Sequence, residues 1–275
     1  MVQEYVLAGT PEEAAQLVAD DPGAVVMGGG TTLMPRATIG GLNGRRVIGL
    51  ARAGLDYVHR NGATTIGAMT PLRVVADLAD APVLAAAARC VGSWALRTTA
   101  TIGGNLLVRG PYGDLAPALL ALDAQIAVAG GNGRRTLALA EAIEGGAAVG
   151  AGELLTEVIV PATDGVASFQ RCARVASGAP PIVTVAARVC READAIAEAR
   201  IAIGAVGPHA VRATEAEERL VGSPGDAAGV DEAVAAAARA VEAGDDSVAS
   251  AWYRAKMTEL HVRRALSAAL EEDEG

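Results

Sequence analysis

Two glycine-rich segments carry the residue types that bind an anionic ligand. The first is Gly28-Gly29-Gly30 with Thr31 and Thr32, and the second is Thr101 with Gly103, Gly104 and Asn105. Glycine has no Cβ, so consecutive backbone N–H groups can approach a phosphate, and the hydroxyl and amide side chains add further donors. Two such segments closing on one long anion predict a dinucleotide ligand.

Other arrangements compete for the first segment. An isolated run of three glycines is also typical of a tight turn between a strand and a helix. A Rossmann site does not fit, because Leu33 occupies the third glycine position and Pro35 interrupts the helix that would follow. A cluster of backbone amides with threonine hydroxyls remains as the binding mechanism.

The rest of the chain offers little other site chemistry. Lys256 is the single lysine and lies far from both glycine segments, which argues against a Schiff-base cofactor and a Walker loop. The three cysteines and three histidines lack metal-ligand spacing and are expected to be ordinary buried thiols and histidines. We therefore predict no metal site and no catalytic side chain.

Composition limits the class of protein. With 275 residues, 51% of them hydrophobic, the chain can bury a large core. A net charge of −9 argues against a nucleic-acid partner, which needs clustered Lys and Arg. The sequence shows no signal peptide and no run long enough to span a membrane, so we expect a cytoplasmic protein.

The elements around the glycine segments suggest an α+β fold with a boundary near residue 163. Alternating short strands and helices fill residues 1–163, including a helix over 11–20 and a strand over 24–27 that leads into the first glycine segment. A turn-rich break follows at 161–165. Beyond it we predict strands over 168–173, 182–189 and 199–206, then helices over 211–221, 231–243 and 250–271.

The second glycine segment resembles a known signature. Residues 101–105 are similar to the T-I-G-G-N motif of the FAD-binding (medium) subunits of molybdenum hydroxylases, the xanthine dehydrogenase and carbon monoxide dehydrogenase medium-subunit family. Residues 114–124 match the D-x-x-P-A-L-L-A-L-D-A run that follows it, and residues 253–255 with 263–266 resemble the end of the family's C-terminal domain. The resemblance implies a two-part, PCMH-type FAD-binding domain over 1–163 and a CO dehydrogenase flavoprotein-like C-terminal domain over 164–275.

The resemblance also implies which residues contact FAD. The candidates are Met27, Gly28, Gly29, Gly30, Thr31, Thr32, Leu33, Thr101, Gly103, Gly104, Asn105, Asp114, Phe169 and Gln170. The glycine segments would enclose the diphosphate. Asp114 would accept from a sugar or ribityl hydroxyl, since a carboxylate repels phosphate; its alternative role is to cap the helix that follows. Phe169 and Gln170 would lie near the flavin ring; the alternative role of Phe169 is in the core alone.

Some positions depart from the family pattern. Gly178 stands where an aspartate often lies four residues after the arginine aligned with Arg174, and Pro180-Pro181 follow it. Thr98 replaces an asparagine common before the signature, and Tyr112 either leans on the flavin or faces water.

The resemblance implies an electron-transfer subunit. Electrons would pass from a small [2Fe–2S] subunit through FAD to NAD⁺, oxygen or a quinone, while a large molybdopterin subunit oxidises the substrate in a heterotrimer. Two alternatives stay open from the residues: a stand-alone FAD-dependent oxidase, and a cofactor-free assembly module.

Overall fold

The computed structural model describes residues 2–108, 110, 112–144, 149–176 and 178–273. Internal contacts divide the chain into two compact units. The first unit comprises Met1–Asp77, Ser93–Val108 and Ala124–Pro161; the second comprises Leu78–Gly92, Arg109–Asp123 and Ala162–Gly275. Two segments that precede residue 163 thus pack with the C-terminal part, while the domain boundary at 163 stays a prediction.

The helices and strands follow one another in this order: β1 (Glu4–Leu7), α1 (Pro11–Asp20), β2 (Val25–Met27), α2 (Leu33–Thr38), β3 (Arg46–Gly49), β4 (Val58–Asn61), β5 (Ala63–Gly67), α3 (Leu72–Val75), α4 (Pro82–Cys90), α5 (Trp94–Thr99), α6 (Ile102–Leu106), α7 (Leu115–Ala121), β6 (Gln125–Gly130), β7 (Gly133–Ala138), α8 (Leu139–Glu144), β8 (Glu153–Pro161), β9 (Val166–Ala173), β10 (Pro181–Glu192), β11 (Ala195–Gly204), β12 (Val211–Arg212), α9 (Thr214–Leu220), α10 (Ala227–Arg239) and α11 (Ala251–Asp273). None of the helices in these described ranges is long and apolar enough to cross a bilayer.

The first unit holds two sheets. A parallel sheet has the order β1-β3-β2, and an antiparallel sheet has the order β4-β5-β8-β6-β7. Helix α1 forms where predicted, since the Thr10 side chain accepts from the Glu13 N–H at 3.1 Å and Pro11 occupies the first turn. Its buried residues Ala14 and Val18 pack against Ile48 of β3. This packing holds the sheet in which β3 pairs with β2, and the first glycine segment follows β2.

The second unit is built on one antiparallel sheet of order β12-β11-β10-β9. Odd-numbered residues of β10 from 183 to 189 join the core formed with α9, α10 and α11. The alternate residues face the other way: the Thr184 hydroxyl lies beside Gly204 and Pro117, and Arg188 donates to the Ala121 carbonyl of α7 at 2.9 Å. The predicted α+β architecture, with helices layered on a small antiparallel sheet, is confirmed.

Two predicted helix boundaries in this unit are wrong. Residues 211–212 form strand β12, because they pair with Ala202 and Ile203, and the helix begins only at Thr214. The helix predicted over 231–243 runs instead from Ala227 to Arg239. The Asp226 carboxylate accepts from the Gly229 N–H at 2.9 Å, which starts the helix one turn earlier.

Candidate dinucleotide-binding site

The first glycine segment connects β2 to α2. The Leu50 N–H donates to the Met27 carbonyl at 3.0 Å, which ties the start of the segment to β3, and the Met34 N–H donates to the Gly30 carbonyl at 2.8 Å, which ties its end to α2. Gly30 has φ +71°, a left-handed conformation that residues with a Cβ adopt only with strain. The backbone therefore turns sharply between two fixed points.

Backbone donors of the first segment lack acceptors in the part of the chain that the structure describes. Within the described residues, nothing accepts a hydrogen bond from the N–H groups of Gly29, Gly30, Thr31, Thr32 and Leu33. Successive unpaired N–H groups along a turn form a concave site for anionic oxygens. This donor set fits the diphosphate of a dinucleotide.

The second segment uses its backbone donors differently from the first. Residues 102–106 form the short helix α6, and the Thr101 hydroxyl oxygen caps it by accepting from the Gly104 N–H at 3.2 Å. The Gly103 N–H donates to the Ala68 carbonyl at 3.0 Å, and the Asn105 N–H donates to the Thr101 carbonyl at 2.9 Å. These three backbone donors are thus used inside the first unit.

The Thr101 hydroxyl hydrogen remains available. Thr101 is buried, and among the described residues no acceptor faces that hydrogen. A hydroxyl whose oxygen already accepts a hydrogen bond can still donate one. The structure therefore supports a hydroxyl donor from the second segment, while Gly103 is needed for packing, since a Cβ there would lie 2.9 Å from the Ala68 carbonyl oxygen.

The two segments meet in the first unit. A Cβ on Gly29 would overlap the Thr99 carbonyl oxygen, and a Cβ on Gly28 would lie 2.9 Å from the Thr101 hydroxyl oxygen. Backbone approaches this close require glycine. The convergence on which the sequence interpretation depends is therefore present, and it places the unpaired N–H groups and the Thr101 hydroxyl on neighbouring segments.

Asp114 lies in the second unit, directly before α7. It makes no capping hydrogen bond, so the alternative role as a helix cap is wrong. Its carboxylate accepts from the Arg171 guanidinium at 3.3 Å, and both side chains are more than nine-tenths buried. Burial raises the pKa of Asp114 to about 6, against the opposing effect of the Arg171 charge.

Phe169 and Gln170 lie on opposite faces of β9. Phe169 pairs with Ala186 and shares its face with Arg171, the partner of Asp114. The neighbouring Ser168 hydroxyl donates to the Ala265 carbonyl of α11 at 2.7 Å, so Gln170 faces α11. The structure thus places Phe169 on the face of β9 that carries Arg171, and Gln170 on the opposite face.

Arg171 is the residue that sequence analysis missed. Its guanidinium also donates to the Ala179 carbonyl at 2.5 Å, which links Asp114 to the segment that departs from the family pattern. An arginine in the interior of a strand needs a buried partner when the strand packs inside the protein, and this signal was present in the sequence. Arg174 instead lies near the surface and donates to the Val248 carbonyl at 2.8 Å.

Comparison with known proteins identifies the family. Residues 1–163 match the family described as the FAD binding domain in molybdopterin dehydrogenase, and residues 167–269 match the CO dehydrogenase flavoprotein C-terminal domain. The chain belongs to this flavoprotein family. The resemblance drawn from the T-I-G-G-N motif and the assignment of FAD as cofactor are thereby confirmed.

Relatives of the flavoprotein match over nearly its whole length. The 6-hydroxypseudooxynicotine dehydrogenase complex subunit alpha of Paenarthrobacter nicotinovorans is 31% identical over 97% of this chain and 94% of its own. The carbon monoxide dehydrogenase medium chain of Hydrogenophaga pseudoflava is 28% identical over 90% and 89%. A solved carbon monoxide dehydrogenase from the same organism superposes with a TM-score of 0.91, 26% identity and 98% coverage of both chains. The flavoprotein is an FAD-binding medium subunit of the molybdenum hydroxylase type.

Proposed function

We propose that the flavoprotein passes electrons from iron–sulfur clusters on a partner chain to an external acceptor by way of FAD held at the two glycine segments. The observation that carries the proposal is the row of N–H groups from Gly29 to Leu33 that have no acceptor among the described residues, with the Thr101 hydroxyl next to Gly28 at the start of that row. FAD, once bound, exchanges electrons singly or in pairs, which suits a carrier between one-electron clusters and a two-electron acceptor.

The chain's own residues would act by binding and positioning. The N–H groups of Gly29 to Leu33 would donate to the diphosphate oxygens, and the Thr101 hydroxyl would donate from the neighbouring segment. Gly28 and Gly29 let the segments approach each other, so the donors stay fixed before the ligand arrives. The assignments of Asp114, Phe169 and Gln170 to the cofactor stay predictions.

The proposed partners follow from the names of the relatives, which include medium chains and a complex subunit alpha. We propose a small subunit with [2Fe–2S] clusters and a large subunit with molybdopterin. NAD⁺, oxygen or a quinone would accept the electrons. The cytoplasmic location also stays a prediction.

Purification of the native complex tests this function and separates its alternatives. We expect flavin absorbance, iron and molybdenum to elute in the same fractions as the intact flavoprotein under non-denaturing conditions. A flavin-containing chain without these metals would support a stand-alone oxidase and contradict the relay. A colourless chain that does not take up added FAD would support an assembly module.

A further inference from the structure

Methionine side chains surround the first glycine segment. The Met27 sulfur and the Met34 Cγ each lie 3.4 Å from the position that a Cβ on Gly30 would occupy, and the Met69 sulfur lies 3.4 Å from the corresponding position at Gly28. The whole chain contains five methionines, so three of them gather at one short turn. Thioethers are flexible and apolar, and they fill irregular gaps beside a glycine backbone.

Met34 is the exposed member of this methionine cluster. It is 57% exposed, whereas Met27 and Met69 are half-buried. Helix α2, which carries Met34, has no buried residue. The Met34 backbone is nevertheless fixed to the segment, since its N–H donates to the Gly30 carbonyl at 2.8 Å. An oxidant in solution therefore reaches this side chain while it lies against the proposed phosphate-binding turn.

We propose that Met34 is a peroxide-sensitive site that controls how tightly FAD is held. Hydrogen peroxide would transfer one oxygen to the Met34 thioether, so that the sulfur is oxidised to a sulfoxide and the peroxide is reduced to water. The product is polar where the thioether was apolar, and methionine sulfoxide reductases can reverse the change. This inference rests on the proposed function, namely that the segment from Gly28 to Leu33 binds FAD.

The surroundings of Met34 explain why its oxidation would weaken FAD binding. Met34 Cγ lies 3.4 Å from the position that a Cβ on Gly30 would occupy, so the side chain starts directly beside the turn. A sulfoxide there seeks water or a hydrogen-bond donor, and the N–H groups of Gly29 to Leu33, which have no acceptor among the described residues, directly precede Met34 in the chain. The oxidised side chain would therefore compete with FAD.

The test exposes the full-length flavoprotein to hydrogen peroxide and follows two quantities. Peptide mass spectrometry measures the oxygen gained at each methionine, and ultrafiltration measures the Kd for FAD. We expect Met34 to oxidise several-fold faster than Met257, which is half-buried against the core of the second unit. The Kd should rise about tenfold, as expected when a polar group replaces an apolar contact, and a reductase should restore it.

Two variants complete the test. Met34→Leu keeps a similar volume without an oxidisable sulfur, so it should keep its FAD affinity through the treatment. Met257→Leu is the matched control and should lose affinity as the wild type does. Complete oxidation of Met34 in the wild type with an unchanged Kd would overturn the inference, even if Met34→Leu does not fold. Absence of FAD binding before treatment would instead contradict the proposed function.

Discussion

Gly29 lies directly against the backbone of Thr99, so that a Cβ at residue 29 would overlap the Thr99 carbonyl oxygen. Residue 29 belongs to the turn after β2, and residue 99 ends α5. Contacts this close between segments far apart in the chain set the distance between the two halves of the proposed phosphate site. Gly29 therefore allows the two segments to pack closely, in addition to offering a backbone donor.

Gly29→Ala should separate the two segments. The added methyl has no free volume, so we expect a loss of about 2 kcal/mol in the free energy of unfolding, typical of overpacking, together with loss of FAD binding. Urea denaturation and flavin titration measure the two effects. Gly131→Ala is the matched control in the first unit, because its Cβ would make only an ordinary contact with Ala19 at 3.6 Å. Equal behaviour of the two variants would contradict the packing role.

Thr101→Val should remove a hydroxyl while keeping the shape of the side chain. The Gly104 N–H would lose its acceptor, which costs about 1 kcal/mol for a helix cap. The ligand would lose a donor, so the Kd for FAD should rise about tenfold, as for loss of one hydrogen bond to a charged group. Thr101→Ser keeps both interactions and should behave like the wild type. A serine variant as weak as the valine variant would show that the hydroxyl is not the operative group.

Ionisation of Asp114 should oppose folding. Its pKa is raised by burial to about 6 from an ordinary 3.8, so the carboxyl contributes fully to stability below about pH 4, and this contribution is lost as pH rises towards 7. At neutral pH the ionisation of Asp114 should lower the free energy of unfolding by about 3 kcal/mol. Urea denaturation of the FAD-free protein between pH 4.5 and 8 should show this dependence in the wild type and not in Asp114→Asn. A constant difference between the two proteins across that range would contradict the assignment.

Arg171→Met removes the cation from the same buried pair. It leaves the buried Asp114 carboxylate without its cation, so the pKa of Asp114 should rise further. We expect a loss of about 3 kcal/mol or more at pH 8, as for breaking a buried ion pair, and a smaller loss at pH 5. Equal losses at both pH values would show that the arginine acts through packing alone.

Asp123 should contribute far more to the free energy of unfolding than an exposed acidic residue does. It sits at φ +51° and accepts from Arg188 at 2.7 Å, from Arg200 at 2.9 Å and from Arg212 at 3.2 Å. Arg188 is buried, so removal of the Asp123 carboxylate leaves a buried cation with fewer partners, although its bond to the Ala121 carbonyl remains. Asp123→Ala should therefore lower the free energy of unfolding by about 2 kcal/mol.

The control for this network is Glu259→Ala. Glu259 forms an exposed pair with Lys256 at 3.0 Å, and such pairs contribute less than about 1 kcal/mol. Chemical denaturation of both variants gives the comparison. A similar cost at Asp123 and Glu259 would show that the three arginines do not depend on Asp123.

Local signals in the sequence predict much of the fold. Thr10 followed by Pro11 predicts α1 within the observed bounds, because the cap and the proline act over a single turn. Helix α6 was not predicted, since its two glycines are poor helix formers and its stability depends on the Thr101 cap and on contacts with Ala68. Strand β12 was missed for a similar reason: two residues become a strand only through pairing with β11.

The candidate site was predictable in its residue types but not in the use of each donor. Glycines at 29 and 103 look alike in the sequence. In the structure the Gly103 N–H donates to the Ala68 carbonyl, 35 residues earlier in the chain, whereas the Gly29 N–H has no acceptor among the described residues. Only the tertiary arrangement distinguishes a ligand donor from a packing donor. Strand alternation, by contrast, could have placed Phe169 and Gln170 on opposite faces from the sequence alone.

The most direct test of the account follows the backbone amide protons of the full-length flavoprotein by NMR while FAD is added to FAD-free protein. We predict downfield shifts at Gly29, Gly30, Thr31 and Thr32, as new hydrogen bonds form to the diphosphate, and much smaller shifts at Gly103 and Gly104, whose N–H groups already have protein acceptors. Bound FAD with unchanged amide signals from Gly29 to Thr32 would contradict the central claim.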